Sequence, residues 1–251
     1  MAIDWWFEFF SSPDYLNIYS ETTNPERTRL ELQFAEKALG WDRDHWILDA
    51  PCGQGRHTWD LHRHGYRVIG LDMSQFLLKT AHNERGDKEE DVFLIRAHLG
   101  RIHIASQTVQ WAMSLFSSFG YGETDEDNLR ILREYARVLA PGGKLLIDVM
   151  NRHHIVRFLS PVYRHKKGRL KVREERTIIN RGRRLSNSIT VTDPNGIQRR
   201  YQYVPWLFNG WELSWLAQRA GLQTVKIYGN FDGRSYNEDA ERAMLVARKP
   251  E

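Results

Sequence analysis

The stretch His45–Ser74, HWILDAPCGQGRHTWDLHRHGYRVIGLDMS, narrows the possible folds more than any other part of the chain. Two apolar runs, WILDA and YRVIGLD, each carry an aspartate at or near the end; between them lie a glycine-bearing turn and the helical segment HTWDLHRHG. Strand, turn, helix, strand is a βαβ unit, whose crossover makes the two strands parallel neighbours. The rhythm continues. SQFLLKTAHNERG reads as a helix with Ser74 as N-cap, DVFLIRAHL as a third strand and VQWAMSLF as a fourth. DEDNLRILREYARVLAPGGKLLIDVM reads as a helix, a tight Pro-Gly-Gly turn and a fifth strand. Upstream, NPERTRLELQFAEKALG is a helix with Asn24 as N-cap, Pro25 in its first turn and Gly40 closing it.

From about Pro161 to Phe208 the pattern becomes antiparallel: RLKVREERTIIN, RRLSNSITVTD, a DPNG turn and IQRRYQYVPWLF. Helix and strand then return in NGWELSWLAQRAG, LQTVKIYG and AMLVARK. The expected fold class is therefore α/β, a Rossmann-like open sheet of about seven strands with helices on both faces, plus an antiparallel β insert after strand five. Residues 1–40 form an N-terminal helical lid, 41–160 and 209–251 the main domain, and 161–208 the insert.

Ligands of open parallel sheets sit beyond the carboxyl ends of the strands, so the first turn is where a cofactor is expected. Gly53 and Gly55 remove side chains and let a ligand approach the N–H groups that open the next helix. Asp72 ends the second strand, where a carboxylate can accept from two ribose hydroxyls. Asp49 adds an acceptor that a dinucleotide fingerprint does not call for, and Thr58 stands where that fingerprint has its third glycine. A ligand with an ammonium group at one end and adenosine at the other suits this pattern, which disfavours a nicotinamide dehydrogenase.

On LDAPCGQGRH, VIGLDMS and PGGKLLIDV the chain resembles the class I S-adenosylmethionine-dependent methyltransferases over nearly its whole length. SLFSSFGYGETDEDNLRILREYARVLAPGG resembles a subgroup of small bacterial enzymes related to glycine and antibiotic-sugar N-methyltransferases. The resemblance implies S-adenosyl-L-methionine as cofactor. It puts Gly53 and Gly55 by the methionine half, Asp72 at the ribose and Met73 at the adenine face. Where the family usually has an acidic residue after the third strand, this chain has His98, followed by Leu99. A neutral imidazole can accept from the adenine amino group, or His98 is simply an exposed loop residue.

Methyl transfer is an in-line displacement that needs alignment and water exclusion more than a base, so no catalytic residue is assigned. Phe116, Phe119 and Tyr121, in the loop after the fourth strand, are candidates to face the sulfonium or wall the acceptor pocket; the alternative for each is plain packing. Tyr15 and Tyr19 offer hydroxyls from the lid, while Trp5, Trp6, Phe7, Phe9 and Phe10 are expected to bury a terminal helix. Arg56 is a candidate for the cofactor carboxylate. Asn151 and Arg152 either face the acceptor or cap the strand end. The expected acceptor is a small molecule methylated on N or O.

Alternatives stay open. Arg164–Arg184 holds ten Lys/Arg against two Glu, which is either the solvated face of a hairpin or an anion patch serving an RNA or peptide acceptor. A non-catalytic binding protein is the third reading, motivated by His98. The net charge of +4 is weaker than most nucleic-acid binders show. No apolar run approaches the length of a membrane span. MAIDWWFEFFSSPDY lacks the basic start and cleavage site of a signal peptide. A single cysteine, Cys52, allows no intrachain disulfide, so a reducing cytoplasm is expected; the expected assembly, on separate grounds, is a monomer or homodimer. Cys52 sits in the turn rather than as a nucleophile. His62, His64, His153 and His154 lack the ligand spacing of a metal site, and none is expected.

Overall fold

The computed structural model describes residues 7–84 and 92–251; the expected burial of Trp5 and Trp6 lies outside them. Two short helices, α1 (Phe7–Phe10) and α2 (Pro13–Tyr19), precede α3 (Pro25–Leu39). The Asn24 side chain accepts from the Arg27 N–H, Pro25 opens α3, and Gly40 closes it at φ 66°. β1 (Trp46–Asp49), α4 (Arg56–Arg63), β2 (Arg67–Asp72), α5 (Gln75–Asn83), β3 (Phe93–Arg96) and β4 (Val109–Ser114) follow in the alternation read from the sequence. Then come α6 (Asp125–Val138), β5 (Leu139–Met150) and α7 (Arg152–Phe158), the last not anticipated.

One boundary differs from the sequence reading. β5 starts at Leu139, directly after the helix, so Pro141, Gly142 and Gly143 lie within the strand's bounds and not ahead of it. The pairing of β4 with β5 shifts register between Val109 and Trp111, and Gly142 has φ 73°. Two residues of β4 span five of β5 here, so the turn the residue types announce loops out of the pairing.

The insert contains four antiparallel strands, β6 (Val162–Lys167), β7 (Leu170–Ile179), β8 (Arg184–Thr192) and β9 (Gln198–Tyr203), ordered as in the chain. α8 (Gly210–Arg219), β10 (Gln223–Tyr228) and β11 (Arg242–Arg248) complete the main sheet, ordered β10-β11-β5-β4-β1-β2-β3. β11 runs antiparallel to both neighbours and the other pairs are parallel. From β1 the chain builds outward to β2 and β3, then returns to β4 and β5 on the other side. The switch point between β1 and β4 opens a crevice at their carboxyl ends.

Alternate residues of each strand supply two cores. Leu48, Ile69, Leu71, Ala112 and Leu145 pack with α6 and α8, whereas Ile47, Val68, Trp111, Met113 and Leu146 pack with α3 and Leu61. A third cluster joins Phe9 and Ile18 to Val172, Ile189, Val191 and Tyr203, so the N-terminal helices rest on the inner face of the insert. Asp14 fastens this contact, accepting from Arg199 Nε at 2.6 Å and Tyr201 Oη at 2.8 Å. Among the described residues no helix is long and apolar enough to cross a membrane.

Candidate active site

The carboxyl ends of β1, β2, β3 and β4 open into a cavity of about 330 Å³, closed above by α1, α2 and β9. Asp72 stands on its wall, 7% exposed. One carboxylate oxygen accepts from the Gly53 N–H at 2.9 Å and the other from the Ser74 N–H at 2.8 Å. Each oxygen keeps a lone pair for a ligand hydroxyl. Burial pushes this carboxyl up to about 6, against the pull of those N–H donors.

The two glycines of the turn differ in what they permit. Gly53 has φ 57°, and a Cβ there would enter open space at the cavity. Gly55 has φ 81°, but a Cβ there would lie 3.0 Å from Ala81 Cβ and from Trp59 Nε1. Gly53 leaves room for a ligand, and Gly55 lets α4 and α5 meet behind the turn. Thr58, in place of a third glycine, is accommodated from the strand side: a Cβ on Gly70 of β2 would meet Thr58 Oγ1 at 3.0 Å.

Thr58 Oγ1 donates to Asp49 at 2.7 Å, and Asp49 is 1% exposed and off the cavity wall. The carboxylate expected to meet an ammonium group instead secures the first turn of α4. Four other expected site residues also lie off the wall. Gly55 is behind the turn. Phe119 is 2% exposed and packs on Phe208 with ring centroids 5.4 Å apart. Asn151 is fully buried, its amide nitrogen donating to the Glu238 and Ala240 carbonyls and its oxygen accepting from Tyr236 Oη. Arg152 pairs with Glu212 at 2.6 Å.

The cavity gathers the rest: Tyr19, Gly53, Arg56, Asp72, Met73, His98, Leu99, Phe116 and Tyr121. Arg56 lies 5.4 Å above the Phe116 ring, donates to Thr28 Oγ1 at 3.0 Å and pairs with Glu31 at 2.6 Å. Glu31 is fully buried and also meets Arg27 and His57 at 2.8 Å. Burial alone would raise its carboxyl, but these three partners hold it down to about 2. The result is a cationic corner beside the Gly53 turn. His98 Nδ1 accepts from the Gly100 N–H at 2.9 Å, which leaves Nε2–H as a donor. The ring therefore does not present the acceptor expected of it.

Sequence reasoning missed the support under the loop after β4. Phe116 and Ser117 both adopt left-handed backbone, φ 61° and 58°, a conformation costly for side-chain-bearing residues. Asp148, fully buried on β5, holds them: Oδ2 accepts from the Phe116 N–H at 2.9 Å and its carbonyl from the Ser117 N–H at 3.1 Å. Arg242 of β11 grips both Asp148 oxygens, at 2.7 and 2.6 Å, and donates to Ser117 Oγ at 2.9 Å. Asp148 ends an apolar strand and Arg242 opens one, so neither carries a local signal. The lid and insert add Phe10, Tyr15 and Tyr203 to the wall, and Tyr19 meets the Phe116 ring edge-on at 5.6 Å. Burial pushes the phenols of Tyr15, Tyr19, Tyr121 and Tyr203 upward, so they stay neutral. Burial does the same to the Cys52 thiol, with Asp72 and Asp49 adding to it, which keeps the sulfur from acting as a thiolate.

A family described as a methyltransferase domain matches residues 47–143, the segment that builds the glycine turn, Asp72 and the loop after β4. Those residues resemble a methyltransferase domain. Over 153 residues it is 28% identical to the ubiquinone biosynthesis O-methyltransferase of Coxiella burnetii (strain Dugway 5J108-111), covering 61% of this chain and 59% of that protein. The chain thus spans about three fifths of the length of that relative. It is 23% identical over 207 residues to the cypemycin N-terminal methyltransferase of a Streptomyces species, covering 81% of this chain and 82% of that one. An S-adenosylmethionine-dependent methyltransferase from Clostridium acetobutylicum superposes with a TM-score of 0.80 at 14% identity, over 95% of this chain and 98% of that one. The chain thus shares the fold of that methyltransferase, and the cavity's residues suit S-adenosyl-L-methionine. Gly53 opens space for the amino-acid end, the Arg56 corner is cationic where a carboxylate would lie, and Asp72 retains lone pairs for hydroxyls.

Proposed function

We propose that the chain transfers a methyl group from S-adenosyl-L-methionine to nitrogen or oxygen of a small-molecule acceptor. The observation that carries this reading is Asp72 beside the Gly53 turn, on one cavity whose other end is walled by Phe10, Tyr15, Tyr19, Phe116, Tyr121 and Tyr203. The cofactor supplies an electrophilic methyl group. Asp72 binds the ribose, Gly53 and Arg56 border the methionine end, Met73 and Leu99 flank adenine, and His98 donates toward a ring nitrogen. Phe116, held in place by Asp148, sits where it can face the sulfonium. The tyrosines exclude water and orient the acceptor.

Asp72 is the sole carboxylate on the wall among the described residues, and it stands on the ribose side. No carboxylate therefore stands ready to take a proton from the acceptor, so an acceptor that is acidic or already carries a free lone pair suits the cavity best. A reducing cytoplasm suits a chain with one cysteine; the proposed assembly is a monomer or homodimer.

Calorimetric titration tests the reading. S-adenosylmethionine and S-adenosylhomocysteine should both bind. Asp72→Ala should weaken each about 10- to 100-fold, from loss of charge-assisted hydrogen bonds worth roughly 1.5–3 kcal/mol. A parent protein that binds neither compound would contradict the proposal.

A further inference from the structure

The outer face of the insert has no part in the cavity. Its strands pair in register, so side chains two apart along a strand share a face. Lys166 stands opposite Lys171, and next along the strands Arg164 stands opposite Arg173. Across β8 these rows continue through Thr192 to Gln198 and through Thr190 to Arg200. Ser188 and Gln202 stand in the following row with Glu175. The side chains line an open groove of about 1180 Å³.

Two successive pairs of like charges directly across a strand pair are destabilising. Among the described residues Arg164, Lys166, Lys171 and Arg200 make no ion pair, while Arg173 meets Glu175 at 2.8 Å. Glu8 lies at the rim. An arrangement that folding alone disfavours fits an anionic partner. Between the cations stand Thr190, Thr192, Ser188, Gln198 and Gln202, which can both donate and accept. Among the described residues these rows carry no aromatic side chain, and of the rings that border the groove Phe9 is fully buried and Tyr201 turns inward to Asp14, so the face offers no row of rings for splayed bases to stack on. Cations for phosphates and two-way groups for 2′-hydroxyls, without stacking, match the shape reading of an A-form duplex across its shallow minor groove.

We propose that this outer sheet face is a docking surface for double-stranded RNA, sequence-independent and separate from the methyl-transfer cavity. The proposal does not depend on the methylation chemistry.

The test is fluorescence anisotropy of the full chain with a blunt RNA duplex of about 16 base pairs. With five cations engaged, log affinity should fall with log salt at a slope of about −4.5, roughly a 500-fold loss between about 50 and 200 mM. The double variant Arg164→Gln with Lys171→Gln should reduce that slope to about −2.7. It should keep the parent's affinity for S-adenosylhomocysteine and its thermal stability, since it breaks up both like-charge pairs. A DNA duplex of the same sequence should bind more weakly. Absence of duplex binding, a slope the variant does not change, or tighter binding of DNA or single-stranded RNA would overturn the proposal. So would a stable dimer, seen by sedimentation, that the double variant dissociates, because the face would then belong to a second copy.

Discussion

Asp72 carries the largest share of the proposed cofactor contact, and its environment sets a pH dependence. Burial pushes its carboxyl up to about 6, above the ordinary aspartate range. Only the ionised form accepts hydrogen bonds on both oxygens, so affinity for S-adenosylhomocysteine should decline as pH falls through 6, and Asp72→Asn should lose that dependence. The sign for stability is opposite. Between about 4 and 6 the folded state holds a proton that the unfolded state has released, so stability contributed by this group falls as pH rises. The stability of the parent relative to Asp72→Asn in urea should therefore rise as pH falls from about 7 to 4; a difference that does not change with pH would contradict this. The glycines separate on similar grounds. Gly55→Ala, strained and crowded by Ala81 and Trp59, should lose about 3 kcal/mol in denaturant titration. Gly53→Ala, strained but unobstructed, should lose about 1 kcal/mol yet weaken cofactor binding more.

At the level of elements, the closed cavity depends on how α1 and α2 dock on the insert. Phe9 stacks on Tyr203 with centroids 5.7 Å apart, Ser11 Oγ donates to Ser74 Oγ at 3.0 Å, and Asp14 bonds Arg199 and Tyr201. Asp14 is the polar anchor of that contact, and the rings give it area. Asp14→Asn should speed hydrogen exchange in Pro13–Tyr19 while leaving the β1–β5 amides protected. Uniform loss of protection would show instead that the lid and sheet unfold together. The sequence announced most of these elements, because caps and turns are local chemistry: Asn24, Gly40 and Ser74 do what their residue types imply. Pro141–Gly143 announce a turn, and only the pairing of β4 with β5 shows that it loops out within the strand pair and not between helix and strand.

For the whole molecule, the strand–helix rhythm specified the open sheet and the antiparallel insert, and the glycine turn with Asp72 specified where a ligand belongs. What the sequence left hidden was the closure between distant parts. Arg242 lies 94 residues beyond the Asp148 it grips, and Tyr203 reaches the cavity only because the insert folds back over the sheet. Asp49 lies off the cavity wall for a related reason. The pattern marks a carboxylate at the end of β1, but whether it faces a ligand or Thr58 depends on packing between α4 and β2. The most direct measurement is a crystal structure of the chain with S-adenosylhomocysteine. The ribose hydroxyls should lie within hydrogen-bond distance of Asp72, with the sulfur beside Phe116 and facing the tyrosines of the lid and insert. Density for the compound elsewhere, or an empty cavity at saturating concentration, would contradict the account.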